Sequence, residues 1–316
     1  MSSKYSVTSN TVKLLKHLNT LKNLQNNVII PIMVHIMPTH RCQLNCSHCC
    51  FKNRKNLIMD MDFDMLTMGL DQFYLLGTKS IELTGGGEPV LYPYIYDFLK
   101  YALEKFNVGV ISNGLAIKRI EKFLPDLSWL RLSLNTLDYE FSLDPVMKII
   151  KKSKVPVSMC YIWNKHSNKH IKEVADFAKR HKSICRVGPD CIQPIDGIKK
   201  QMAEISATIQ DYEYLFLSDF NVTLNRRNEN CYIHMIKPAF YTDGYIYPCP
   251  SAELAVENNK QINKDFRLCH AFDIYNFYTN KKFRKKLEYS CSYCKYSKQQ
   301  DILEDLLTET NFNEFA

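Results

Sequence analysis

The order of strand-like and helix-like runs restricts this chain more than any other feature. From residue 29 to about 190, short apolar runs alternate with longer amphipathic ones. Ile29–Ile36 reads as a strand. Asp62–Leu76 reads as a helix, with Leu66, Leu70 and Phe73 on one face and Gly77 as its stop. The pattern continues with Ser80–Thr84 (strand), Tyr94–Lys105 (helix), Val108–Ile111 (strand), Ile117–Phe123 (helix) and Leu130–Leu134 (strand). Asp144–Lys152 (helix), Pro156–Tyr161 (strand), Lys169–His181 (helix) and Ile184–Val187 (strand) complete it. Strands and helices in strict alternation call for right-handed parallel connections. The expected fold class is therefore α/β, a partial (β/α)6 barrel. Such folds place their chemistry beyond the carboxyl ends of the strands.

Ahead of the barrel, residues 11–25 read as a helix with Leu14, Leu18, Leu21 and Leu24 on a shared face. Behind it, the alternation stops near residue 195 and the chain becomes less regular. The expected organisation is a helical extension over 1–30, the partial barrel over 31–200, a smaller unit over 201–300 and an acidic tail over 301–316. With no apolar run near the roughly 18 residues of a membrane span, and no secretory signal pattern, a soluble cytoplasmic protein without membrane contact is expected. The net charge of +8 includes one dense run, Lys281–Lys286, which reads as a solvated helix face.

Three loops at strand ends carry the chemistry. After the first strand comes Cys42-x3-Cys46-x2-Cys49; after the second, Gly85-Gly86-Gly87-Glu88-Pro89; after the third, Ser112-Asn113-Gly114. The chain has 12 cysteines, and their grouping points to metal rather than disulfides. Three neighbouring thiolates can hold three irons of a cubane cluster and leave the fourth iron open to a small molecule. The alternative is a zinc ion, with His40 or His48 as fourth ligand. Cys50, adjacent to a ligand, reads as packing.

Taken together, the cysteine and glycine loops resemble the radical S-adenosylmethionine (SAM) superfamily over roughly residues 31–190. The resemblance implies a [4Fe-4S] cluster on Cys42, Cys46 and Cys49, with SAM on the open iron. Reductive cleavage of SAM would give a 5′-deoxyadenosyl radical that takes a hydrogen atom from the substrate. It places SAM against Gly85, Gly86, Gly87 and Glu88. It assigns Asn113 and Ser133 as further SAM contacts, although Asn135 stands where the family often has Asp. The electron would come from a donor such as flavodoxin or ferredoxin.

A second set, Cys231, Cys249, Cys291 and Cys294, with Gly244 ahead of Cys249, resembles the twitch extension, the short form of the SPASM domain. This implies a second [4Fe-4S] cluster, fully ligated by protein and relaying an electron; Cys269 is a substitute ligand and structural zinc the alternative. Thr242–Cys249 reads as a hairpin turning at Asp243-Gly244. Cys160, Cys185 and Cys191 read as packing cysteines, one of which could donate a hydrogen atom, and Trp163, Arg186 and Asp190 as candidates for the substrate pocket.

The leading expectation is an oxidoreductase acting on a small molecule at an alcohol carbon. A peptide modifier (epimerase, thioether-forming enzyme or side-chain-oxidising maturase) ranks second. Nucleotide or nucleic-acid modification ranks below it, and a zinc-stabilised binding protein is the non-enzymatic reading.

Overall fold

The computed structural model describes residues 10–51, 59–218, 223–251, 266–280 and 288–308. The alternation appears as β1 (Met33–Ile36), α3 (Phe63–Leu76), β2 (Ser80–Leu83), α4 (Ile95–Lys105), β3 (Asn107–Ser112) and β4 (Trp129–Ser133). It goes on through α5 (Asp144–Ser153), β5 (Val157–Ile162), α6 (Ser167–Arg180) and β6 (Cys185–Gly188). Neighbouring strands pair in parallel and in sequence order. The fold is α/β with an open, barrel-like parallel sheet.

Local chemistry explains the boundaries. The Asp62 carboxylate accepts from the Met65 amide at 2.8 Å and caps α3. Gly77 ends the helix at φ 98°, a left-handed conformation that suits glycine. Along each strand one face meets the helices and the other faces the barrel interior. Leu130, Leu132, Met159 and Tyr161 are fully buried under helices. Trp129, Arg131, Ser133, Ser158, Cys160 and Ile162 point the other way and stay partly exposed.

Four expectations need correction. The alternation does not stop near 195: α7 (Ile195–Ile209) and β7 (Leu215–Leu217) add a further unit, β7 pairing in parallel with β6. The helix expected over 11–25 is two helices, α1 (Asn10–Leu14) and α2 (Leu18–Gln25). A tight turn at Leu15–His17 breaks the periodicity, so Leu14, Leu21 and Leu24 are buried while Leu18 is 64% exposed. The segment read as a helix over Ile117–Phe123 is a 3-10 helix, Ile117–Asp126, with Pro125 inside it. The first strand begins only at Met33, after Pro31.

Part of the C-terminal region extends the main sheet. β9 (Ala239–Phe240) pairs in parallel with β1 on its free edge, followed by antiparallel β10 (Tyr245–Tyr247) and β11 (Cys269–His270). Among the described residues the main sheet has ten strands, running from β11 to β7. The β9–β10 connection is the expected hairpin, with Gly244 at φ 80°. A second, two-stranded sheet joins β8 (Thr223–Asn230) to β12 (Glu288–Cys294). Two more helices, α8 (Ile274–Thr279) and α9 (Ser297–Leu307), pack on α3 and on α1 and α2 respectively. The tail expected to be acidic thus starts as helix α9; residues 309–316 and the basic run 281–286 lie outside the described residues.

Candidate active site

One cavity of about 590 Å³ opens at the carboxyl ends of β1 to β4. Cys42, Cys46, Cys49, Gly85, Gly86, Gly87, Glu88, Asn113 and Ser133 all line it. A volume of that order suits one small cofactor. His40, His48, Thr84, Ile111 and Asn135 complete much of its wall.

The cysteine loop is pinned at its stem. Thr39 and Asp60 form an antiparallel bridge, and the His40 amide donates to the Met59 carbonyl at 2.8 Å. The Thr39 hydroxyl and the Arg41 guanidinium both donate to the Asp60 carboxylate, the latter at 2.7 to 3.0 Å. This holds the Asp60 carboxyl below its ordinary range despite the opposing effect of burial.

The glycines have a steric reason. The Gly87 amide donates to Thr39 O at 2.9 Å and the Glu88 amide to Arg41 O at 2.7 Å, so the two loops lie backbone on backbone. A Cβ on Gly87 would fall 2.3 Å from Arg41 O.

Glu88 is buried, with 2% of its surface exposed. Its Oε1 accepts from the Ser112 hydroxyl at 2.7 Å and its Oε2 from the Asn113 amide at 2.7 Å. The carboxylate ties the glycine loop to the end of β3. Burial pushes its pKa up to about 7, and the donors only partly oppose this.

Asn113 reaches the cysteine loop. Its Nδ2 donates to Gln43 Oε1 at 3.2 Å and approaches Cys42 Sγ at 3.9 Å. The Leu44 amide also points at Cys42 Sγ, at 3.4 Å. Burial raises the Cys42 pKa, and these two N–H groups work against that. N–H donors aimed at a sulfur match the chemistry of a metal-bound thiolate, which can accept but not donate. The three thiols, the side-chain-free cradle and the sulfur-directed donors thus fit an iron–sulfur cluster with a small ligand beside it.

Asn135 is part of a buried network. It bonds the Ile162 amide and carbonyl at 2.7 and 2.9 Å and donates to Asp138 at 3.0 Å. Tyr161 and Asn164 donate to the same carboxylate, at 2.7 and 2.9 Å. This network ties the end of β4 to the end of β5. The sequence offered no motif for it beyond the density of Asn and Asp after those strands. Cys50, read as packing, is hydrogen-bonded to Cys191, an expectation that did not anticipate a thiol pair.

The second set is less complete. Cys231, Cys249 and Cys294 are partly buried at the edge of the core. Cys291 lies on β12, its side chain outside the described residues. Nearby, Lys237 is buried, donates to Gln299 Oε1 and stands 3.7 Å from the centre of the Tyr296 ring. Burial pushes its pKa down to about 7 against the fields of Cys249 and Glu82. Among the described residues no three His, Cys, Asp or Glu side chains converge as ligands of a single ion. A four-iron cluster does not ask for that convergence, because each thiolate binds a different iron. The cysteine loop also meets the β9–β10 turn directly: His40 Nε2 and Thr242 Oγ1 are 3.0 Å apart.

Comparison with known proteins gives concordant findings. Residues 36–185 match the model of the radical SAM superfamily. Over 95 residues the chain is 27% identical to the antilisterial bacteriocin subtilosin biosynthesis protein AlbA of Bacillus subtilis (strain 168). That match covers 30% of this chain and 21% of AlbA, so the chain spans about a fifth of that relative. Streptococcus suis SuiB bound to its precursor peptide SuiA superposes with a TM-score of 0.60 and 19% identity, covering 87% of this chain and 70% of SuiB. The anSMEcpe structure with bound AdoMet and the Cp18Cys peptide gives 0.55 and 14%, covering 90% and 86%. The family match falls on the cysteine and glycine loops and on the strands that carry them, and the fold agrees across most of the chain: the part that holds the candidate site, residues 36–185, is similar to the radical SAM superfamily.

Proposed function

We propose that the protein uses SAM to activate a C–H bond of a peptide substrate. One observation carries the reading: Cys42, Cys46, Cys49, the Gly85–Gly87 cradle, Asn113 and Ser133 all face one cavity. A [4Fe-4S] cluster with SAM would supply the 5′-deoxyadenosyl radical there. The chain's own residues do the rest. Cys42, Cys46 and Cys49 hold the cluster, and the Leu44 and Asn113 donors stabilise Cys42 as thiolate. The glycine loop lets backbone approach the ligand, and Ser133 and Asn135 stand on the far wall.

A peptide is preferred over the small-molecule alcohol that ranked first from the sequence. AlbA acts in bacteriocin biosynthesis, and SuiB and anSMEcpe were each captured with a peptide, whereas no finding supports oxidation of a small-molecule alcohol. The second cluster, on Cys231, Cys249, Cys291 and Cys294, is part of the same proposal, as is a flavodoxin- or ferredoxin-type electron donor. No helix among the described residues is long and apolar enough to cross a membrane.

Anaerobic reconstitution tests the reading. Two clusters require roughly eight irons per chain, and SAM with dithionite should release 5′-deoxyadenosine. Replacing Cys42, Cys46 and Cys49 with Ala should abolish that release and halve the iron. A colourless protein holding zinc would sink the proposal.

A further inference from the structure

Beneath the cavity the inward faces of the strands carry charge, which is unusual for a barrel interior. Glu82 stands on β2, Arg131 on β4 and Arg186 on β6, each at an inward position between outward-facing buried neighbours. Arg131 lies two residues before the cavity-lining Ser133, about 7 Å lower on the same face. Arg186 is in register with Cys160, which is in register with Ser133. Both backbone positions therefore stand on the inward face, level with Ser133 or one layer below it, and neither arginine is among the residues that line the cavity.

Burial depresses the Arg186 guanidinium, the positive charge of Arg131 adds to that, and Cys160 and Glu82 oppose it. Lys13 of α1 feels the same two arginines and the same glutamate. Glu82 is itself committed to His35, with Nδ1 3.0 Å from Oε1, though off the hydrogen-bonding line. Burial opposes its charge, yet His35, Arg131 and Arg186 hold its pKa down to about 2. Among the described residues neither guanidinium makes a hydrogen bond or ion pair, and the Arg131 Nε is buried without a partner.

The position of Arg131 is fixed all the same. Its guanidinium lies 5.3 Å from the centre of the Trp129 ring, and that ring fills the space where a Cβ on Gly109 would stand. A planar fork held against a ring with its Nε unspent, on the same inward face as a second arginine two strands away, is an arrangement that takes a carboxylate.

We propose that Arg131 and Arg186 form an anion subsite inside the barrel that binds a carboxylate of the substrate, either an Asp or Glu side chain or a C-terminus. The assignment of that carboxylate to a peptide rests on the peptide reading above. The subsite would place an acidic group below the cavity and so select which substrate atom stands beside the cofactor.

The test uses the full chain, reconstituted anaerobically and loaded with SAM. Isothermal titration compares blocked pentapeptides that differ only at the centre (Glu, Gln or Lys), the Gln peptide with a free C-terminus, and glutarate. The Glu peptide or the free C-terminus should bind at least about ten-fold more tightly than the blocked Gln peptide. The arm that binds identifies the source of the carboxylate. Arg131→Gln and Arg186→Gln should each erase most of that preference, and Arg186→Lys should keep part of it. Circular dichroism and iron content verify folding, and the Lys variant serves if a Gln variant fails to fold. Equal binding of all four peptides would show that peptides bind but overturn the subsite. A preference that survives in both Gln variants, or no binding of any probe, would also overturn it. Arginine-dependent binding of glutarate alone would uphold the subsite and overturn the peptide reading.

Discussion

Gly87 and Glu88 sit side by side and do opposite things to stability. Gly87 lets two loops touch through backbone, and the atoms a Cβ would strike, Arg41 O at 2.3 Å and His40 C at 2.6 Å, cannot rotate away. Gly87→Ala should cost about 1–3 kcal/mol and displace the cysteine loop. A fall in SAM affinity of ten-fold or more, with a lowered melting temperature, is the expected result; unchanged affinity would mean that the loop can yield. Glu88 costs stability through its charge. Its folded pKa of about 7 exceeds the ordinary 4.5, so the folded state holds its proton over a range where the unfolded state has lost it. Stability should therefore fall as pH rises from 4.5 to 7, by about 3 kcal/mol in total, and level off above that. Urea melts of wild type and Glu88→Gln across that range check this. The difference between the two should grow with pH, whereas parallel profiles would mean that Glu88 is ionised throughout. Of the site, the motif positions were legible because cysteine and glycine are rare enough to stand out. The commitment of Glu88 to Ser112 and Asn113 was not, since it depends on how the ends of β2 and β3 are brought together.

The elements show why some boundaries were readable and others not. α3 announces itself: Asp62 caps it, Leu66, Leu70 and Phe73 are fully buried, and Gly77 stops it. The unit α7–β7 was missed because β7 is only three residues long, too short for alternation to show. The break between α1 and α2 has no Pro or Gly to mark it; burial of Leu14 by other parts of the fold decides it. α3 also matters to the site, because its cap lies two residues beyond Asp60, which anchors the cysteine loop. Asp62→Ala removes the bond to the Met65 amide and should cost about 1 kcal/mol, read as a lower urea midpoint at unchanged slope. The Asp60–Arg41 pair should survive, so iron content should stay at the wild-type level. Loss of iron would show instead that the return leg of the loop depends on the helix start.

At the scale of the molecule, the barrel and the C-terminal region share one sheet, and the strand that leads into the cysteine loop lies between them. On one side β1 pairs with β2. On the other it is held by the C-terminal chain: the Ile32, His35 and Met37 amides each donate at 2.9 Å, to the carbonyls of Ile236, Pro238 and Phe240. Phe240, Tyr241 and Ile246 are fully buried there. Cutting the chain after residue 218 would strip these backbone bonds from β1 and its flanks and uncover an apolar edge immediately before Cys42, the kind of edge that pairs with other chains. The truncated protein should aggregate, or melt broadly and well below the full chain, and should not bind SAM even with its three N-terminal cysteines intact. The full chain should unfold in one calorimetric transition, because no cut between the two regions spares the sheet. Two separate transitions in the full chain, or a soluble fragment that still binds SAM, would show that β1 holds its cysteine loop without help from β9.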